Sequence, residues 1–278
     1  MEAANIARDA FHTTFKDLLA NGQYSDLVIS CHGDTYNVHK AIVCSRSGFF
    51  ERADRFPGKE HEEGKVDLPE DDPRAINALV QYLYEGEYNP HLQDDEDLEA
   101  SRPVPDNKNN TFHYQFPHTC VGSYCHSPYC NVCPHHTCLS STCKDSCENF
   151  TCRKCTDYKA PDHEAWQLLL HSQMYELGDK YQVVGLKDLA AEKFSRSCRK
   201  YWNDKEFPEA VHHAFTTTME CDMGLRQPAT DIIAKHMELL NKAEMTVLIH
   251  KVNGLAASLL ELRAKDVGWI KLVNGTQV

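Results

Sequence analysis

The feature that most constrains this chain is an interruption. Residues 89 to 162 carry no helical or strand period, while both flanks are periodic. A stretch of this length without structure of its own is uncommon inside a compact domain and reads as an insertion. Any core must therefore be assembled from two flanks that are distant in sequence. With 278 residues, of which 41% are hydrophobic, there is ample material for one.

Before the insertion, Ile6, Ala10, Phe11, Phe15, Leu18 and Leu19 recur at helical spacing, and Asn21-Gly22 ends that helix. Residues 26 to 31 predict a strand, His32-Gly33-Asp34 a tight turn, and residues 35 to 38 a returning strand. Two short helical pieces follow at 40 to 44 and 48 to 53. Residues 54 to 64 are polar, with Pro57, Gly58 and Gly64, and predict a loop. A brief strand is expected over 66 to 68. Asp72-Pro73 then opens a helix with Ile76, Leu79, Val80 and Leu83 on one face, and Gly86 stops it.

Periodicity returns at residue 163. Trp166, Leu169, Leu170, Met174 and Leu177 mark one helix, and Leu186, Leu189, Ala190, Phe194 and Cys198 another. Further helices are expected over 206 to 219, 228 to 240, 243 to 250 and 254 to 264.

Net charge is -12, which disfavours a phosphate backbone as partner. The acidic clusters at Glu60, Glu62 and Glu63 and at Asp94 to Asp97 read as solvated loops. No run of about 20 apolar residues suits a membrane span. The N-terminus lacks the basic start and apolar run of a signal peptide, so the expected location is intracellular, cytoplasmic or nuclear. Asn109-Asn110-Thr111 and Asn149-Phe150-Thr151 are accordingly read as chance sequons.

Nine of the thirteen cysteines fall between Cys120 and Cys155. The pairs Cys130-Cys133 and Cys152-Cys155 are separated by eighteen residues, inside the window of a four-cysteine zinc site. Two such turns present four thiolates to one ion. Zinc is thus the one cofactor expected. The alternatives are a disordered cysteine-biased loop and a redox-active pair, the latter without a thioredoxin-like setting. Cys31, Cys44, Cys198 and Cys221 read as ordinary small buried residues.

No catalytic constellation stands out. There is no phosphate loop, dinucleotide glycine fingerprint or Gly-x-Ser-x-Gly. His163-Glu164-Ala165-Trp166-Gln167 begins like a metalloprotease helix but has Gln167 where the second histidine is needed.

Tyr24-Ser25-Asp26-Leu27-Val28-Ile29, followed by Val38-His39-Lys40-Ala41-Ile42-Val43-Cys44-Ser45-Arg46-Ser47-Gly48-Phe49-Phe50, resembles the start of a BTB/POZ domain. Val66-Asp67-Leu68-Pro69-Glu70-Asp71-Asp72-Pro73 and the stretch from Ala78 to Tyr88 continue the resemblance. Met174 to Tyr181 with Gly185-Leu186-Lys187 is similar to the last two helices of that fold. The manner resembles the BTB proteins of filamentous fungi.

The resemblance implies an α+β fold, a small sheet covered by helices. Residues 1 to 88 would form its first part, 89 to 162 the Cys/His-rich insertion, 163 to 200 its last helices, and 201 to 278 a helical extension. It further implies a non-enzymatic protein–protein interaction module, often a homodimer. Phe11, Phe15, Leu18 and Leu19 would lie at the dimer interface, or else pack on their own domain. Asp26 would cap neighbouring N–H groups or sit at that interface, and His39 would make local hydrogen bonds. A second implication is an adaptor for a cullin-type ubiquitin ligase, with Glu60 as the contact. There Gly58 replaces the expected hydrophobic residue, and no extra helical pair is evident. A third reading makes the chain a metal- or redox-responsive regulator through the insertion.

Overall fold

A computed structural model describes residues 2–56, 58–91, 164–266 and 268–269. The first element, α1 (Glu2–Asn21), is followed by β1 (Leu27–Cys31) and β2 (Asp34–Val38). These two strands form an antiparallel hairpin in which Leu27 faces Val38 and Cys31 faces Asp34. His32 and Gly33 supply its two-residue turn, both with positive φ, the geometry that matches the twist of hairpin strands. Strand β3 (Lys65–Asp67) lies parallel to β1 on the other side, giving the order β2-β1-β3. Being central, β1 buries Leu27, Ile29, Ser30 and Cys31.

Helices α2 (Lys40–Arg46) and α3 (Gly48–Arg55) are split at Ser47. Ser47 is extended, and its Oγ accepts from the Phe50 amide while donating to the Tyr181 carbonyl at 2.7 Å. The region expected to be a loop contains a short helix, α4 (Lys59–Glu63). Its residues favour helix, but Glu60 to Glu63 are exposed, so no apolar period announces it. Gly64, left-handed at φ 60, ends it.

Helix α5 (Pro73–Glu85) starts as expected: the Asp72 carboxylate accepts from the Arg74 and Ala75 amides. It buries Ile76, Leu79, Val80 and Leu83, and Gly86 closes it at φ 70.

Helices α6 (Gln167–Lys180) and α7 (Leu186–Tyr201) resume after the insertion. Helix α6 is buried on most sides because it lies between α5, α7 and α8 (Phe207–Thr217). Of its expected apolar face, Trp166 and Leu169 lie outside the core, while Leu170, Met174 and Leu177 are buried.

The next helix, α9 (Met223–Lys235), begins earlier than the sequence suggested and ends earlier too. Its cap is Asp222, and Pro228 lies inside it. A 3-10 turn (Met237–Asn241), α10 (Ala243–Lys251) and α11 (Leu255–Asp266) complete the described chain. Helix α8 packs on α6, and α9 on α7. One hydrophobic core runs from Leu27 through Phe194 and Phe207 to Leu259.

The flanks of the insertion are joined by polar bonds as well. Tyr181 Oη donates to Asp71 at 2.5 Å, and Lys180 pairs with the same carboxylate at 2.7 Å. Three of the four cysteines outside the insertion are covered as expected, Cys31 and Cys198 fully and Cys44 in part. Cys221 is exposed, just ahead of the α9 cap. No helix among the described residues is long and apolar enough to cross a membrane.

Candidate interaction surface

Helix α1 is attached by only part of its length. Phe15 and Leu19 pack partly buried against the core, Leu18 is half-buried, and Lys16 pairs with Glu85 of α5 at 2.8 Å. Phe11 is 61% exposed and Ile6 63% exposed. Phe11 touches the Phe15 ring edge-on, with centroids 4.7 Å apart. Of the four apolar residues expected at an interface, three therefore contact their own domain in part, and Phe11 projects beyond it.

The root of α1 is fixed by hydrogen bonds. After Asn21 the chain turns through Gly22 at φ 63, where a Cβ would stand 3.2 Å from that of Asn37. His39 holds the turn from below. Its Nε2 donates to the Gln23 carbonyl at 2.6 Å, while its Nδ1 accepts from Tyr84 Oη at 2.6 Å. That hydroxyl already accepts the His39 amide, which leaves its own proton for Nδ1 and fixes the tautomer. These contacts reach α5 and the α1 turn rather than staying local. Burial, the main cause, pushes Tyr84 up to about 12.

Asp26 takes the capping role: its carboxylate accepts from the Lys40 amide, the first of α2, at 2.7 Å. It remains exposed. Tyr24, just before it, is 87% exposed at a left-handed φ of 64. Together these residues form the base from which α1 projects.

Glu60 lies on α4, exposed. Gly58 is the N-cap of that helix with an extended backbone, φ -160. A Cβ there would meet only ordinary van der Waals neighbours, so the glycine is not sterically required. Phe56, at the end of α3, is 63% exposed. Behind it Lys40 pairs with Asp54 at 2.7 Å, and His61 bonds the Asp54 carbonyl. The helices expected after residue 200 include α8 and α9, which pack on α6 and α7 respectively. Cys130, Cys133, Cys152 and Cys155 lie outside the described residues.

The arrangement defines a class: a three-stranded sheet clasped by helices, with an amphipathic helix standing off one side. Residues 15–102 match the family model of the BTB/POZ domain. The chain thus carries a BTB/POZ domain, and such domains are generally protein–protein interaction modules.

Proposed function

We propose that the chain self-associates through α1 and uses the assembled domain to recruit a protein partner. The observation that carries this reading is the exposure of Ile6 and Phe11 on a helix anchored only by its C-terminal half. A 20-residue helix with none of its described side chains fully buried gains little from its own chain. In water most helix stability comes from burying an apolar face. A second copy of the same surface would cover both residues in a symmetric contact.

Sedimentation equilibrium tests this with Phe11→Asp, a position whose exposure in the monomer predicts no cost to folding. The expected result is a dimer for the parent chain and roughly thirty-fold weaker association for the variant, about 2 kcal/mol for a buried aromatic anchor. A monomeric parent chain, or a variant that dimerises equally well, overturns it.

A second reading, an adaptor on a cullin-type scaffold, is favoured by the exposed Phe56 and Glu60 beside α4 and by the α8–α9 pair. Co-precipitation with a purified cullin N-terminal domain tests it. Binding should rise in Gly58→Leu, which restores a hydrophobic residue two positions before Glu60, and fall in Glu60→Ala.

A further inference from the structure

The described methionines and cysteines divide sharply between core and surface. Cys31, Cys198, Met174 and Met245 are buried, and Cys44 and Met237 are half-buried. The exposed ones all lie within Met219-Glu220-Cys221-Asp222-Met223, the stretch that leads from α8 into the first residue of α9. Met219 is 72% exposed, Met223 is 44% exposed, and Cys221 is an exposed free thiol. An exposed methionine forgoes the burial that a side chain of its size normally contributes. Two of them flank the one exposed thiol among the described residues, which points to a use other than packing.

The backbone beneath these side chains is held from several directions. The Asp222 amide donates to the Met219 carbonyl at 2.9 Å, which closes a tight turn and brings the two Cα atoms within about 7 Å. The Asp222 carboxylate accepts from the Gly224 amide at 3.2 Å, from Tyr175 Oη at 2.5 Å and from Lys187 Nζ at 3.0 Å. The turn is thereby tied to α6 and α7. From α9, Arg226 Nε donates to Thr218 Oγ1 at 2.9 Å and its Nη2 to the Thr218 carbonyl. The platform is fixed before any ligand arrives, which removes an ordering cost from binding. The sulfurs above it are uncommitted: among the described residues, nothing hydrogen-bonds to the Cys221 thiol or to either thioether.

We propose that Met219, Cys221 and Met223 form a binding site for a soft monovalent metal ion, copper(I). Thiolate and thioether sulfurs are the donors that favour this ion over harder ones. Methionine arms are unbranched and flexible, so both can close on an ion held by Cys221 while the backbone stays in place. Binding replaces the S–H bond of Cys221 by an S–Cu bond, and the proton leaves to solvent. The thiolate cancels the charge of the ion, so the complex needs no carboxylate. Zinc suits the turn poorly. It takes four donors drawn from thiolate, imidazole and carboxylate. The turn offers one thiol, no histidine, the exposed Glu220, and an Asp222 already engaged with Tyr175 and Lys187. Such a site makes the α8–α9 turn metal-responsive independently of the cysteines in the insertion.

The test is anaerobic titration with copper(I), supplied from a bicinchoninate buffer. It uses the full chain with the nine cysteines from Cys120 to Cys155 changed to serine, so that they do not compete. Methionine methyl groups carry 13C, and the two turn signals are assigned from Met219→Leu and Met223→Leu. One ion per chain is expected. The Met219 and Met223 signals should move together while those of Met174 and Met245 stay. The unaltered chain should show the same two shifts once copper exceeds what the insertion takes up. Cys221→Ser should abolish binding. Each leucine variant should weaken it roughly ten-fold or more, since even the loss of an outer-shell partner costs a metal site about that much. All three positions are exposed, and circular dichroism confirms that each variant folds. Zinc chloride at the same concentration should move neither signal. Turn signals that stay still on addition of copper, or an affinity unchanged in both leucine variants, overturn the proposal.

Discussion

His171 shows how far a single environment can depart from water. Its ordinary value of 6.5 falls to about 3, chiefly through burial and then through Lys193. Above pH 6.5 the ring is neutral folded and unfolded, and contributes no pH dependence. Below it the unfolded chain takes up a proton that the folded chain refuses until about pH 3. Stability is therefore lost as pH falls through that window, at up to about 1.4 kcal/mol per pH unit for one proton. Urea unfolding at pH 6.5 and 4.5 should show the parent chain losing about 2 kcal/mol more than His171→Gln; parallel losses would contradict it. Lys193→Met tests the same cluster. It keeps the volume and strips the donor from the Tyr88 and Pro90 carbonyls, with an expected cost of about 3 kcal/mol in the unfolding free energy. None of this was legible in the sequence. Lys193 and Tyr88 are 105 positions apart, and a lysine on an amphipathic helix looks solvated until the fold covers it.

Elements were more legible where a cap and an apolar period agreed. Asp72-Pro73 before Ile76, Leu79, Val80 and Leu83 announced α5 in full, and the structure places both signals where they were expected. The hairpin of β1 and β2 was legible from a strand-forming run, a His-Gly-Asp turn and a returning strand. Helix α9 was expected from residue 228 but starts at Met223, where Asp222 supplies the cap and Pro228 lies inside the helix. The two caps should differ in cost. Asp72→Ala loses two amide bonds and should cost about 1 kcal/mol. Asp222 caps Gly224 and also accepts from Tyr175 at 2.5 Å and Lys187 at 3.0 Å, so Asp222→Ala should cost about twice that in the same denaturation assay. Equal losses would mean that the α6–α9 contact contributes nothing. For α1, the apolar stripe was legible but its cover was not, since a stripe that packs on its own domain and one that meets a partner share one periodicity.

At the scale of the whole molecule, the insertion divides the sequence but not the core. Ser47 meets Tyr181, Asp71 meets Tyr181 and Lys180, and Tyr88 meets His171 and Lys193. The helices after Tyr201 extend this core. At Gly224 a Cβ would lie 2.2 Å from Tyr175 Oη, so the first turn of α9 closes directly on the Tyr175 side chain of α6. Trp202, stacked on His236 with centroids 3.7 Å apart, reports from the far side of that contact. If the core is one cooperative unit, its two ends unfold together. In a chain carrying Trp166→Phe and Trp269→Phe, both at exposed positions, fluorescence reads Trp202 alone. Its urea midpoint should coincide with that of far-ultraviolet circular dichroism. Adding Gly224→Val, which drives a side chain into Tyr175, should lower both midpoints by the same amount. A fluorescence transition that moves alone would instead make the C-terminal helices an independently folding unit resting on the BTB/POZ domain.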